Sequence, residues 1–198
     1  MTGQGGVIGE VDRALEELVR REVVRRSKTE VSFGAPGGER TAATVHLQLY
    51  DIREDQGRRR QGTINEYDSD GALTVRRCPP RYVRLSYLVT VWAPQPEEEH
   101  RLLDATLRAF LAQDAIPAER LTGSLADLGL PVPMAAAVPP PDDRALAAAL
   151  AASGAGLRPF VNVVISAPMM PEPPTPVSPP VTKPLTLRPE SHRTGGSG

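Results

Sequence analysis

Arg81-Tyr82-Val83-Arg84-Leu85-Ser86-Tyr87-Leu88-Val89-Thr90-Val91-Trp92-Ala93, followed by Pro94-Gln95-Pro96-Glu97-Glu98-Glu99-His100-Arg101-Leu102-Leu103, is the stretch whose reading decides the fold. Val83, Leu85, Tyr87, Val89 and Val91 recur at period two, the signature of a strand with one apolar face. Tyr82, Arg84, Ser86, Leu88, Thr90 and Trp92 take the opposite face, mixed enough to meet a helix at one end and water or a neighbouring subunit at the other. Pro94 and Pro96 stop the ladder, and the glutamates at 97 to 99 suit the positive end of a helix dipole. Such a strand is a scaffold and not an active site.

Working outward, residues 7 to 26 read as an amphipathic helix: Val7, Val11, Leu15, Leu18 and Glu22 trace a stripe with Val19 beside it. Glu16 with Arg20 and Glu17 with Arg21 make i,i+4 pairs on its outer side. A short strand at 29 to 33 carries Val31 and Phe33 inward, and the Gly34 to Gly38 cluster turns the chain. Residues 44 to 53 form a second strand, with Val45, Leu47 and Leu49 on one side and His46, Gln48, Tyr50 and Ile52 on the other. Residues 54 to 72 are polar and predict a long excursion, and 73 to 77 a brief pairing segment before Pro79 and Pro80.

A second helix over 96 to 113 is expected to bury Leu103, Leu107, Phe110 and Leu111. From 121 to 141 the proline-broken chain predicts a surface crossing without regular structure, anchored by Leu121, Leu125, Leu128, Leu130 and Val132. Asp142 and Asp143 start an alanine-rich helix that ends at Ser153-Gly154, and 157 to 166 closes the domain as a strand. The fold class is therefore α/β: a mixed, largely antiparallel sheet flanked by about three helices. One domain is expected over 1 to 166. Nine prolines in the last 32 residues mark 167 to 198 as an extended or disordered arm.

Composition narrows the function classes. A formal net charge of -1 exerts no global pull toward nucleic acid or an anionic membrane. The single cysteine, Cys78, makes no internal disulfide, so no oxidising compartment is required. The start, Met-Thr-Gly-Gln-Gly-Gly, lacks a signal-peptide pattern, and no apolar stretch approaches the ~20 residues that span a bilayer, which predicts cytoplasmic synthesis without membrane insertion. Abundant Ala, Arg, Pro and Gly suggest a GC-rich bacterial gene.

Catalytic signatures are missing. His46, His100 and His192 lie far apart in unlike elements, so no metal site is expected, and no cofactor. No Gly-x-Ser-x-Gly elbow surrounds Ser86, Ser124, Ser153 or Ser166. The glycines at 3, 5, 6 and 9 follow no strand and precede no lysine at phosphate-loop spacing. Asp51 and Asp55 stand beside Arg53 and Arg58, as ion-pair or interface groups do.

Leu47-Gln48-Leu49-Tyr50-Asp51-Ile52-Arg53-Glu54-Asp55, the basic loop after it, the proline pair, the 84 to 93 stretch Arg-Leu-Ser-Tyr-Leu-Val-Thr-Val-Trp-Ala and the acidic helix start ending in His100-Arg101-Leu102-Leu103 together resemble a known family. They look like the N-terminal domain of the cap, or tail-terminator, proteins of phage-tail-like contractile injection systems, over roughly residues 7 to 166. The resemblance implies a structural, non-enzymatic protein that forms a ring, a hexamer in the family. That ring ends the inner tube and anchors the last sheath ring of a cytoplasmically assembled particle. Its partners would be further copies of the chain, with sheath and inner-tube subunits; no nucleic acid is expected. At 198 residues no additional folded C-terminal domain is expected, which would depart from the family.

Polarity and exposure nominate interface residues: Tyr50, Asp51, Arg53 and Asp55, the loop Arg58, Arg59 and Arg60, and Pro173, Pro174, Pro176, Pro179 and Pro180 of the arm. The arginine loop has three readings. It binds phosphate or RNA as a nucleic-acid or ligand-binding module, it is a solvated loop, or, as the resemblance implies, it pairs with a sheath or tube subunit. Protein contact is favoured, because the chain is not basic overall and the loop has no stacking aromatic. The proline arm either lies along a neighbour at reduced ordering entropy or hangs free.

Overall fold

The computed structural model describes residues 6–24, 29–34, 42–140, 142–153, 158–171, 173 and 175–177. These divide into two compact units, one within Met1–Gly62 and Pro79–Pro171, the other within Thr63–Cys78 and Glu172–Gly198.

In the first unit the chain runs α1 (Val7–Glu22), β1 (Glu30–Ser32), β2 (Thr44–Glu54), a 3₁₀ turn at Gln56–Arg58, then β5 (Arg81–Trp92) and α2 (Pro96–Leu111). A second 3₁₀ turn at Ala118–Arg120, α3 (Gly123–Leu128), β6 (Met134–Ala136), α4 (Asp143–Ser153) and β7 (Phe160–Met169) complete it. The sheet order is β1-β2-β5-β7-β6, with β1 parallel to β2 and every other pairing antiparallel. The expected mixed, largely antiparallel α/β architecture is what the chain adopts.

The period-two pattern maps onto the register. Val45 pairs with Val91, Leu47 with Val89 and Leu49 with Tyr87, while across the other edge of β5 Val89 meets Val161, Tyr87 meets Val163 and Leu85 meets Ile165. These side chains form one core with Val11, Leu15, Leu18 and Val19 of α1 and Phe110 of α2. At ~25 cal/mol per Å² of apolar surface removed from water, this face supplies the main drive to fold. The opposite face follows the expected gradient: Thr90, Leu88 and Ser86 are buried, Tyr82 is half-buried and Arg84 is exposed.

Three local expectations are corrected. Of the four α2 residues expected inside, Phe110 is buried and Leu103 and Leu107 pack half-buried against the core, but Leu111 is exposed, and Leu102, Thr106 and Ala109 are buried beside them. Thr106 is tolerated there because its hydroxyl donates to the Leu102 carbonyl at 2.7 Å, which satisfies the polar group inside the helix. The 121 to 141 segment, expected to be irregular, contains α3 and β6, because each finds a distant partner. Ile52, expected opposite Leu49, shares its face instead, because an extra residue between Leu49 and Asp51 shifts the register and Ile52 lands opposite Leu85.

In the second unit, β3 (Ile64–Tyr67) and β4 (Leu73–Arg77) form a hairpin, and β8 (Thr175–Pro176) pairs with β4. The excursion expected over 54 to 72 is thus partly strand. Its turn is built by Asp68, whose carboxylate accepts from the Asp70 and Ala72 amides at 3.0 and 2.8 Å. Arg77 pairs with Glu66 across the hairpin at 2.9 Å.

Candidate functional site

The polar half of the β5 face, at the Arg81 end of the strand, gathers most of the residues nominated from sequence. The β2 bulge creates it. Tyr50 is the inserted residue, so Tyr50 and Asp51 both come to the side on which Ser86 and Arg84 stand.

Tyr50 Oη donates to Asn162 Oδ1 at 2.9 Å, and Asn162 Nδ2 donates to the Val138 carbonyl at 3.0 Å. This relay ties β2 to β7 and to the loop after β6, where Ala137 adopts a left-handed φ of 55°. Burial raises the Tyr50 phenol above its ordinary pKa and the Asp51 charge adds to that, while the Ser86 hydrogen bond and Arg53 oppose it.

Arg53 lies 3.0 Å from Asp51 and 3.4 Å from Asp142, and these carboxylates hold its guanidinium above the ordinary value, the Asp51 hydrogen bond foremost. Asp55 Oδ2 accepts from the Ser166 hydroxyl at 2.6 Å and lies 3.6 Å from Arg58, whose guanidinium also sits 5.5 Å over the Tyr82 ring. Glu54 is shared by Arg81 at 2.8 Å and Arg59 at 3.7 Å. Among the described residues, Arg60 and Arg84 form no ion pair and both are exposed.

Asp55, Arg58, Arg84, Val138, Val164 and Ser166 line a groove of about 410 Å³ on this face. Apolar Val138 and Val164, the cations Arg58 and Arg84 and the Asp55 carboxylate all contribute to its lining. The arrangement can hold an anionic side chain of another protein. Among the described residues no group of His, Cys, Asp or Glu is placed to hold a metal ion.

Tyr50, Asp51, Arg53, Asp55, Arg58, Arg59 and Arg60 therefore share one end of the first unit. Pro173 and Pro176 belong to the second, where both are exposed and Pro176 stands opposite Val75. Pro174, Pro179 and Pro180 lie outside the described residues. Asn162, Ser166 and Asp142 were not nominated. Asn162 and Ser166 carried a signal, as polar residues at alternate positions of an otherwise apolar strand. Cys78 is exposed, and no helix among the described residues is long and apolar enough to cross a membrane.

Comparison with known proteins sets this face in context. In overall fold the chain is similar to the PVC sheath/tube terminator of an extracellular contractile injection system in its extended state, with a TM-score of 0.64 and 19% identity over 98% of this chain and 66% of that one. It is also similar to the tube-terminating cap of the anti-feeding prophage, with a TM-score of 0.55 and 20% identity over 89% of this chain and 60% of that one. The chain thus spans less than two thirds of the length of either structure. No curated protein matches it. The family described as the Pvc16 N-terminal domain matches residues 10–183, and this chain belongs to that family.

Proposed function

We propose that the chain is a structural terminator of a contractile injection system. The observation that carries this reading is the family match over residues 10–183, together with two similar folds that are a sheath/tube terminator and a tube-terminating cap. Copies of the chain join head to tail into a closed ring, hexameric by the family resemblance, on the end of the inner tube. The ring occupies the growing edge, so further subunits meet no matching surface, and it ties the last sheath ring to the tube. No bond is made or broken. The Pro-rich segment that follows β8 serves as an arm along a neighbour, and the ring is added to the particle in the cytoplasm.

The ion pairs of Arg58 with Asp55 and of Arg59 with Glu54 support protein contact over nucleic acid at the arginine loop, since a phosphate would have to displace a carboxylate from each. Deleting the gene and imaging purified particles by electron microscopy tests the reading. Particles of uncontrolled length, or tubes separated from sheaths, are expected. Particles of normal, uniform length would refute it.

A further inference from the structure

A head-to-tail ring needs two different, complementary patches on each copy, placed so that one copy's patch meets the other patch of the next. Two oppositely charged patches stand at opposite ends of β5. At the start of the strand, Arg84 and Arg60 are exposed and form no ion pair among the described residues, and Arg84 lines the groove of about 410 Å³. Beyond the other end, Glu97 and Glu98 open α2. Glu97 is exposed and Glu98 half-buried, and neither forms an ion pair among the described residues, whereas Glu99 is held by Arg158 at 2.8 Å. Eight residues of strand separate Arg84 from Trp92, about 27 Å at ~3.4 Å per residue.

Apolar surface is present on both sides as well as charge. Pro94, Gln95, Pro96 and Glu97 are all exposed, forming a knob that two prolines stiffen, so little entropy is lost when it docks. The groove is lined by apolar Val138 and Val164, which can receive the proline rings, and by Arg84, which can meet a carboxylate. The loop forming its rim is pinned through Val138 by Asn162. We propose that the Pro94–Glu98 knob of one copy docks in the Arg84 groove of the next, with Glu97 and Glu98 pairing with Arg84 and Arg60, and that this contact closes the ring. The inference rests on the ring reading above and names its subunit interface.

Charge reversal on the full chain tests it by mass measurement in solution. The wild type is expected as a ring that loosens as salt rises. R60E/R84E and E97K/E98K should each fall to monomers, with association weakened at least tenfold, while unfolding curves stay those of the wild type. Mixed in equal amounts, the two variants present opposite charges at every contact, so an alternating ring should reappear. The variant carrying all four changes should form a ring alone. A wild-type ring with R60E/R84E still a ring, or with two monomeric variants that neither mixing nor combination rescues, overturns the interface and leaves the ring reading standing. A wild type that stays monomeric at every concentration overturns both.

Discussion

The carboxylate of Glu10, on α1, caps Ser124 at the start of α3: it accepts from the Ser124 amide at 3.0 Å and the Ser124 hydroxyl at 2.8 Å, and also from the Leu125 amide at 3.0 Å. Glu10 is a buried acid in the first turn of one helix, and it supplies the cap that α3 lacks in its own sequence, since no side chain of the Thr122 N-cap does so. Glu10→Ala would leave three donors without this acceptor, the Leu125 amide in a buried setting and the two of Ser124 nearer to solvent. Its unfolding free energy should drop by about 3 kcal/mol in urea titration, with Glu10→Gln losing less because one carbonyl oxygen remains. A loss under ~1 kcal/mol for the alanine variant would show the cap to be dispensable.

Gly123 stands where that carboxylate arrives, with φ +57°, and a Cβ there would collide with Glu10 Oε1. Gly123→Ala therefore combines left-handed strain with a steric clash, and should destabilise by about 2 kcal/mol. In the Glu10→Ala background the clash is gone, so the two losses should sum to less than additivity requires. Strict additivity in a double-mutant cycle would contradict the contact.

A pH signature is expected at Asp12. Its carboxylate accepts from Tyr87 Oη at 2.7 Å, and burial raises its pKa above the ordinary 3.8, with the Tyr87 hydrogen bond partly opposing. A raised carboxyl binds its proton more tightly folded than unfolded, so its ionisation weakens the fold as pH climbs from the unfolded value through the folded one. Asp12→Asn keeps an acceptor for Tyr87 and never ionises. Relative to wild type it should gain stability between pH 3 and pH 7, measured by thermal melts; a gap that stays flat or narrows with rising pH sinks the assignment.

Tyr50→Phe removes the first link of the relay to Asn162 and Val138. The expected loss is about 1 kcal/mol, with faster amide exchange at Ala137 and Val138 while the β5–β7 ladder stays protected. Unchanged exchange at those two amides would mean that the relay does not hold the rim of the groove.

How far the site could be read from the chain depended on the range of the interactions that build it. Asp51, Arg53, Asp55 and Arg58 were found because their partners lie within a few residues, where opposite charges on one short segment are visible in the string. Asn162, Ser166 and Asp142 entered only when β7 and the start of α4 came alongside β2, across separations of 89 to 112 residues. Part of the α2 stripe was missed for a related reason: a threonine looks polar in a sequence, and only its bond to the Leu102 carbonyl makes it a core residue.

What the chain dictated on its own was periodic: Val83 to Val91 and Val45 to Leu49 at period two, and Val7 to Val19 at helical spacing. Each of those patterns leaves an apolar face that has one way to escape water, so the sheet with helices on it follows from the order of residues. Tertiary structure alone decided the rest, because its causes are not periodic. The bulge at Tyr50 depends on how β2 registers against β5, α3 depends on a carboxylate donated from α1, and the groove exists only where β6 and its loop lie against β7.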